Sequence, residues 1–368
     1  VITTSLLSVL EFAKPSLPVS LIDAEGYALL ALAAAQLPFE LATFWGFECR
    51  LVEASAKMDI LFEIRRQSQG RNILAGDTPS SLDALCAKWP AWENLRKFAG
   101  LWADPQHQFS RHIRNIWLEF DTAAIEHPSQ ADEVLSRPCI FFGPNAKTLK
   151  KEEDARLICE ALSALENPIV HEKALDALIT ELPGEARIFQ VGIMISRPNP
   201  GLRVCVYPLT AQEIPVWLHA VGWQGDTEAI AEILQQLPQG LESFAVDVNW
   251  MPDGPAEKIG VECYMNWLED DPKQWIPFLD MLAAKNLCLP SKYQGILDFQ
   301  GITRFPKDWP RPAEGIAYTL LMRKIHHIKL SLTAGRIAEA KAYLALSHPG
   351  LNSNAIFSKN AGGAWLVE

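Results

Sequence analysis

Residues 245–265, AVDVNWMPDGPAEKIGVECYM, read as two short strands joined by a Pro/Gly loop. Side chains in a strand alternate between its faces. One face of this pair therefore carries Val246, Val248, Val261 and Cys263, and the other carries Asp247, Asn249, Glu262 and Tyr264. A solvated face would ordinarily show Lys, Thr and Ser. Carboxylates beside a phenol suit a wall that binds a ligand or moves protons.

The same alternation recurs along the chain. In 57–66, Lys57, Asp59, Glu63 and Arg65 oppose Met58, Ile60, Phe62 and Ile64. In 112–121, Asn115, Trp117 and Glu119 share a face, as do Arg203, Cys205 and Tyr207 in 202–208. In 324–347, His327, Lys329, Lys341 and Tyr343 sit opposite apolar rows, and Glu48 and Arg50 alternate in 44–52.

Other motifs lack what their chemistry needs. GPNAKTLKK (143–151) has no second Gly before its Lys, so it is a turn into a helix and not a phosphate loop. LEDDP (268–272) is read as a helix N-terminus whose acids face the dipole. His326 and His327 are adjacent in a strand and should point to opposite faces, which excludes a shared metal. IVHEKA (169–174) lacks the second His of a zinc helix, and no metal site is expected.

The polar rows belong to five strand pairs, each followed by helical patterning. The pairs are 44–52 with 57–66, 112–121 with 138–143, 187–197 with 202–208, the two strands of 245–265, and 324–333 with 338–347. Helices are expected at 79–101, 149–182, 210–237 and 272–286, and 27–47 reads as a core helix followed by a strand. Short links such as SRPNPG (196–201) require antiparallel neighbours. An open sheet of ten strands would leave two long edges; closing it removes them, with helices covering the apolar rows outside. The expected fold is α+β, a ten-stranded antiparallel barrel in a single domain spanning 1–368, with the polar rows lining its lumen. The competing arrangement is a sandwich with helices on one face and the polar rows in water. The surplus of Trp, Tyr and Glu over Lys and Thr in those rows favours the barrel.

Composition narrows the function. About half of the 368 residues are apolar, enough for a large core, and the net charge of −11 argues against nucleic-acid binding. Seven scattered cysteines with no C-x-x-C suit reduced thiols. The most apolar run is broken by Gln36, Pro38 and Glu40, so no membrane span is expected, and a cytoplasmic location follows.

Five helix–strand–strand–helix units closing such a barrel are the hallmark of the ABBA, or PT-barrel, aromatic prenyltransferases. FECRLVEASAKMDILFEIR (47–65) resembles the first hairpin of their dimethylallyltryptophan-synthase-like branch, with Glu48 and Glu63 at matching positions. The 245–265 hairpin is similar at Asp247 and Tyr264, and AEAKAYLAL (338–346) resembles a late strand whose Tyr, here Tyr343, shields an allyl cation. Gly260 and Glu262 stand where the family places basic residues, and Cys205 where a cation or Tyr is expected.

The resemblance implies prenyl transfer from an allylic diphosphate to an aromatic small molecule or peptide, with no cofactor and no Mg requirement. Glu48 would be the base. Arg50, Lys57, Arg65, Arg203, Lys329 and Lys341 would hold the diphosphate, and Trp117, Tyr207, Tyr264 and Tyr343 would shield the cation. Each cation could instead be paired with a carboxylate such as Asp59, Glu63, Glu119, Asp247 or Glu262. Two other functions fit the same barrel: acid–base chemistry on a natural product or peptide without a diphosphate, and non-catalytic binding of a small ligand or peptide.

Overall fold

The computed structural model describes residues 5–42, 44–125, 131–166, 172–197, 201–266, 271–306, 309, 318–348, 350–351, 357–358 and 366–367. Its strands are β1 (Phe44–Arg50), β2 (Asp59–Arg65), β3 (Ile113–Phe120), β4 (Cys139–Pro144), β5 (Arg187–Ile193) and β6 (Leu202–Leu209). There follow β7 (Leu241–Met251), β8 (Gly254–Met265), the short β9 (Gly301–Arg304), β10 (Tyr318–Thr333) and β11 (Arg336–Ser347). From β1 to β8, neighbours in sequence pair antiparallel; β8 then pairs with β10, and β10 with β11. β11 returns to β1, with Phe44 opposite Ser347 and Arg50 opposite Lys341. The result is a closed ten-stranded antiparallel barrel. β9 pairs only with the start of β10.

The up-down order places the turns within all five strand pairs at one end of the barrel, called here the hairpin end. The other helical connections leave from the far end, while the link within the β3–β4 pair carries the helix Ala131–Ser136 at the hairpin end. At the hairpin end, Ala334 and Gly335 join β10 to β11 with φ of 49° and 68°. Two consecutive positive φ values match the twist of the flanking strands.

The outer rows are apolar because helices dock on them. Trp45, Phe47, Ile60, Phe62, Val246 and Val261 are fully buried in the main core. The helix Pro90–Ala103 begins on proline and turns Trp92, Leu95, Phe98 and Trp102 inward at three- and four-residue spacing. Its two buried indoles keep their N–H groups satisfied, Trp92 donating to Leu135 O at 2.7 Å and Trp102 to Ile113 O at 2.9 Å. The expected early helix is Ala24–Gln36, capped by Asp23, whose side chain accepts from Gly26 N at 2.7 Å.

β10 begins at Tyr318, earlier than the 324 expected from sequence, and its register against β11 shifts between Ile325 and His327. That irregularity reshapes the chamber wall.

Candidate active site

At the hairpin end, the inward residues interlock. Cross-strand register sets Glu48 of β1 opposite both Asp59 of β2 and Tyr343 of β11. Glu48 Oε1 accepts from Lys341 Nζ at 2.7 Å, Tyr343 donates its hydroxyl to Oε2, and Arg50 lies 3.7 Å away. Burial alone would raise this carboxyl, but Lys341, Arg50 and the two hydrogen bonds outweigh it and hold Glu48 well below the usual carboxylate range. Asp59, fully buried, accepts from Arg50 Nη2 at 2.8 Å and from Ala123 N at 2.8 Å. Burial and the Glu48 charge nevertheless push it up to about 7. Two carboxyls on neighbouring strands are thus driven apart in acidity, the usual preparation for proton chemistry.

Asp247 of β7 binds two cations at once, Arg203 of β6 and Lys329 of β10, the latter at 2.7 Å. Arg203 also donates from Nε to Asn249 Oδ1 at 2.6 Å. Gly260, opposite Asp247 in β8, leaves room for this pair: a Cβ there would collide with Asp247 Oδ1 and Lys329 Cε. The position where a basic residue was expected is therefore occupied from β10. Arg197, which periodicity did not single out, bridges Glu119 at 2.9 Å and Asp121 at 2.7 Å.

Toward the far end, the wall becomes aromatic. Ring centroids of Phe44 and Trp117 lie 5.8 Å apart, Tyr207 and Tyr264 5.8 Å, and Tyr264 and His326 5.8 Å. His327 stacks on Tyr343 at 4.2 Å. Tyr264 donates to Glu262 at 2.5 Å, and Glu262 is raised by its burial. Glu63 accepts from Arg65 Nε at 2.8 Å and Asn115 Nδ2 at 2.6 Å.

The expectation for the two histidines is corrected. The shift in β10 register turns both rings into the chamber, with Nδ1 atoms 2.7 Å apart. A bulge breaks the two-residue period on which opposite faces depend. Burial pushes each down to about 3, so both are neutral imidazoles. Among the described residues, no cluster of three or more metal-ligating side chains occurs. Residues 268–270 and 169–171 of the other two weighed motifs lie outside the described residues; Asp271 caps the turn Pro272–Trp275, accepting from Lys273 N at 2.9 Å.

Of the residues singled out from sequence, Glu48, Arg50, Lys341, Tyr343, Asp247, Arg203 and Lys329 form the interlocked wall, and Glu262 is bound by Tyr264. Arg65, Trp117, Tyr207 and Tyr264 lie in the aromatic part. Lys57 does not join them: it precedes β2 and pairs at 2.6 Å with Glu25 of the helix Ala24–Gln36.

The barrel and its lumen define a class: the chain has the fold of the ABBA, or PT-barrel, aromatic prenyltransferases. It is similar to the 5-dimethylallyltryptophan synthase of Streptomyces coelicolor, with a TM-score of 0.51 at 11% identity over 94% of this chain and 98% of that one. The prenyltransferase PriB in its apo form gives 0.53 at 11% identity, covering 93% and 96%. The 6-dimethylallyltryptophan synthase of Micromonospora olivasterospora gives 0.50 at 15% identity, covering 88% and 91%. No family model and no curated protein matches the sequence. At these identities the likeness concerns the fold, and the roles of residues rest on the geometry above.

Proposed function

We propose that this protein is an aromatic prenyltransferase that moves a prenyl group from an allylic diphosphate to an electron-rich aromatic acceptor inside the barrel. The observation that carries this reading is Glu48, a carboxylate kept ionised within a closed barrel and held against Tyr343 and the stacked His327 ring. An ionised, oriented carboxylate can accept an indole N–H or phenol O–H and enrich the ring as it attacks. Aromatic faces attract the allyl cation and keep water from it. A structural neighbour, PriB, has been solved with L-tryptophan and dimethylallyl thiolodiphosphate, which supports an indole acceptor.

Asp59, Glu119 and Glu262 are each raised by burial, so protonating them would leave positive charge in the chamber for an anionic donor. The reading requires no divalent metal, because guanidinium and ammonium groups can neutralise the leaving diphosphate. Free thiols at all seven cysteines support a reducing, cytoplasmic setting. Among the described residues, no helix is long and apolar enough to cross a membrane.

The test is incubation with dimethylallyl or geranyl diphosphate and a panel of indoles, phenols and aromatic peptides in EDTA, read by mass spectrometry. A product heavier by one prenyl unit is expected, and Glu48→Gln should lower kcat/KM by about 10²–10⁴-fold with the fold retained. Absence of product from every acceptor, with and without added Mg, would overturn the proposal. Full activity in Glu48→Gln would remove Glu48 from the mechanism.

A further inference from the structure

Six carboxylates in and around the chamber, Glu48, Asp59, Glu63, Glu119, Asp121 and Asp247, each have an arginine or lysine nitrogen at 2.7–2.9 Å. Glu262 differs. It stands opposite Lys329 in the register of β8 against β10, but the Lys329 ammonium is taken by Asp247 at 2.7 Å. Among the described residues, no arginine or lysine lies within ion-pair distance of Glu262. Its Oε2 accepts from Tyr264, and its Oε1 lies 3.8 Å from His327 Nε2, beyond hydrogen-bond reach.

His327 Nε2 is the second open group. The residue is only 6% exposed, and this atom has no hydrogen-bond partner among the described residues. The 2.7 Å contact between the Nδ1 atoms of His326 and His327 places one hydrogen between two neutral rings. With that hydrogen on His327, its Nε2 is left as an acceptor. Glu262 Oε1 and His327 Nε2 then present two acceptors 3.8 Å apart, close enough for one ammonium to bind both.

The neighbouring rings suit the same cation. Tyr264 packs edge-on to Tyr207, with centroids 5.8 Å apart, and tilts against His327 at 5.0 Å. Both phenol oxygens are engaged, that of Tyr264 by Glu262 and that of Tyr207 by Ser243 at 3.0 Å. What the two rings offer a ligand is therefore their faces, which attract a cation most strongly where water is excluded. Burial raises Glu262, and an ammonium beside it would offset that cost and keep it ionised. The chamber would then carry the same net charge as with Glu262 protonated, so the site adds no negative charge against an anionic donor.

We propose that Glu262 and His327, beside the ring faces of Tyr207 and Tyr264, bind an ammonium group carried by the aromatic acceptor. The chamber thereby selects arylalkylamines over arylalkanoic acids. Calling the ligand an acceptor rests on the prenyl-transfer reading; binding of the amine does not.

The experiment is calorimetric titration, without any donor, of tryptamine, 3-methylindole and indole-3-propionate into wild type, Glu262→Gln and His327→Phe. In wild type, tryptamine should bind about tenfold or more tightly than 3-methylindole, and indole-3-propionate more weakly than either. Glu262→Gln keeps an acceptor for the Tyr264 hydroxyl but not the charge. It should cut the ratio of tryptamine to 3-methylindole affinity to about threefold or less, and His327→Phe should cut it part of the way. The ranking in wild type needs no variant, so a substitution that fails to fold leaves the proposal open to refutation. Tryptamine binding no tighter than 3-methylindole in wild type overturns it, as does an undiminished ratio in folded Glu262→Gln. Tightest binding by indole-3-propionate would give the subsite to a carboxylate and also overturn it. Prenylated product without amine preference would keep the transfer reading and sink this one; amine preference without product from any donor would do the reverse.

Discussion

The two ends of the chamber follow the same alternation of strand residues yet use charge differently. At the hairpin end, Glu48, Arg50, Asp59 and Lys341 form one chain of contacts, and Asp247, Arg203 and Lys329 form another. Toward the far end, Glu63 serves Arg65 and Asn115 and Glu262 accepts from Tyr264, beside paired aromatic rings. The first arrangement spends its charges on one another. Its product is geometry: Glu48 has one orientation and one ionisation state. The second has few charges and sets them beside aromatic surfaces that attract cations. A reaction that separates an anion from a carbocation needs both kinds of region, arranged in that order.

The largest expected effect comes from breaking the interlocked end. Asp247→Ala removes the carboxylate from two enclosed cations, and stripping one partner from a buried pair costs about 3–5 kcal/mol. Denaturant unfolding should show a loss of this size. Adding Lys329→Met to Asp247→Ala should recover part of it, because the two residues are directly coupled. Arg114 of β3 has no side-chain hydrogen bond or ion pair among the described residues, so Arg114→Met should cost nothing measurable in the same assay. Equal costs at both sites would erase the contrast between the ends.

The contrast was partly readable before any coordinates. Period-two counting put Glu48, Asp247, Glu262, Tyr264, Lys329 and Tyr343 on inward rows, and they line the chamber because strand geometry admits no other spacing without a bulge. Where bulges occur the count fails. Arg114 and His326 read as outward residues and are turned inward by register shifts in β3 and β10. Arg197 falls within the strand expected over 187–197, but β5 ends at Ile193, so the alternation does not reveal its bridge to Glu119 and Asp121. Whether a cation is free or paired was not readable either, because it depends on which residues of separate strands stand opposite. Lys341 reaches Glu48 across nearly three hundred residues of chain.

A smaller effect should show whether the two ends sense each other. Asp59, pushed up to about 7, is largely protonated below that pH and ionised above it. Its negative charge then opposes an anion elsewhere in the chamber, so affinity for thiolodiphosphate should fall as pH rises from 6 to 8. A change of about one pKa unit on Asp59 would correspond to roughly 1.4 kcal/mol, about tenfold in affinity at most. Asp59→Asn cannot ionise and should lose this component; subtracting its profile from that of wild type removes the ligand's own titration. Identical profiles for the two proteins would mean that Arg50 screens Asp59 completely.

The smallest effect expected is at Lys57. The sequence pattern put it with the diphosphate-binding cations, but its ammonium pairs with Glu25, whose side chain is 52% exposed, and with the carbonyl of Ile125. Such a pair contributes about 0–1 kcal/mol. Lys57→Ala should therefore lower stability by no more than that and leave donor KM within about twofold, since no charge leaves the chamber. The measurement separates two ways of assigning an anion site. If the diphosphate is held by whichever cations lie near the β1–β2 hairpin, Lys57→Ala should raise donor KM about tenfold. If it is held by cations that face the chamber, such as Arg203 and Lys329, Lys57→Ala should leave donor KM unchanged.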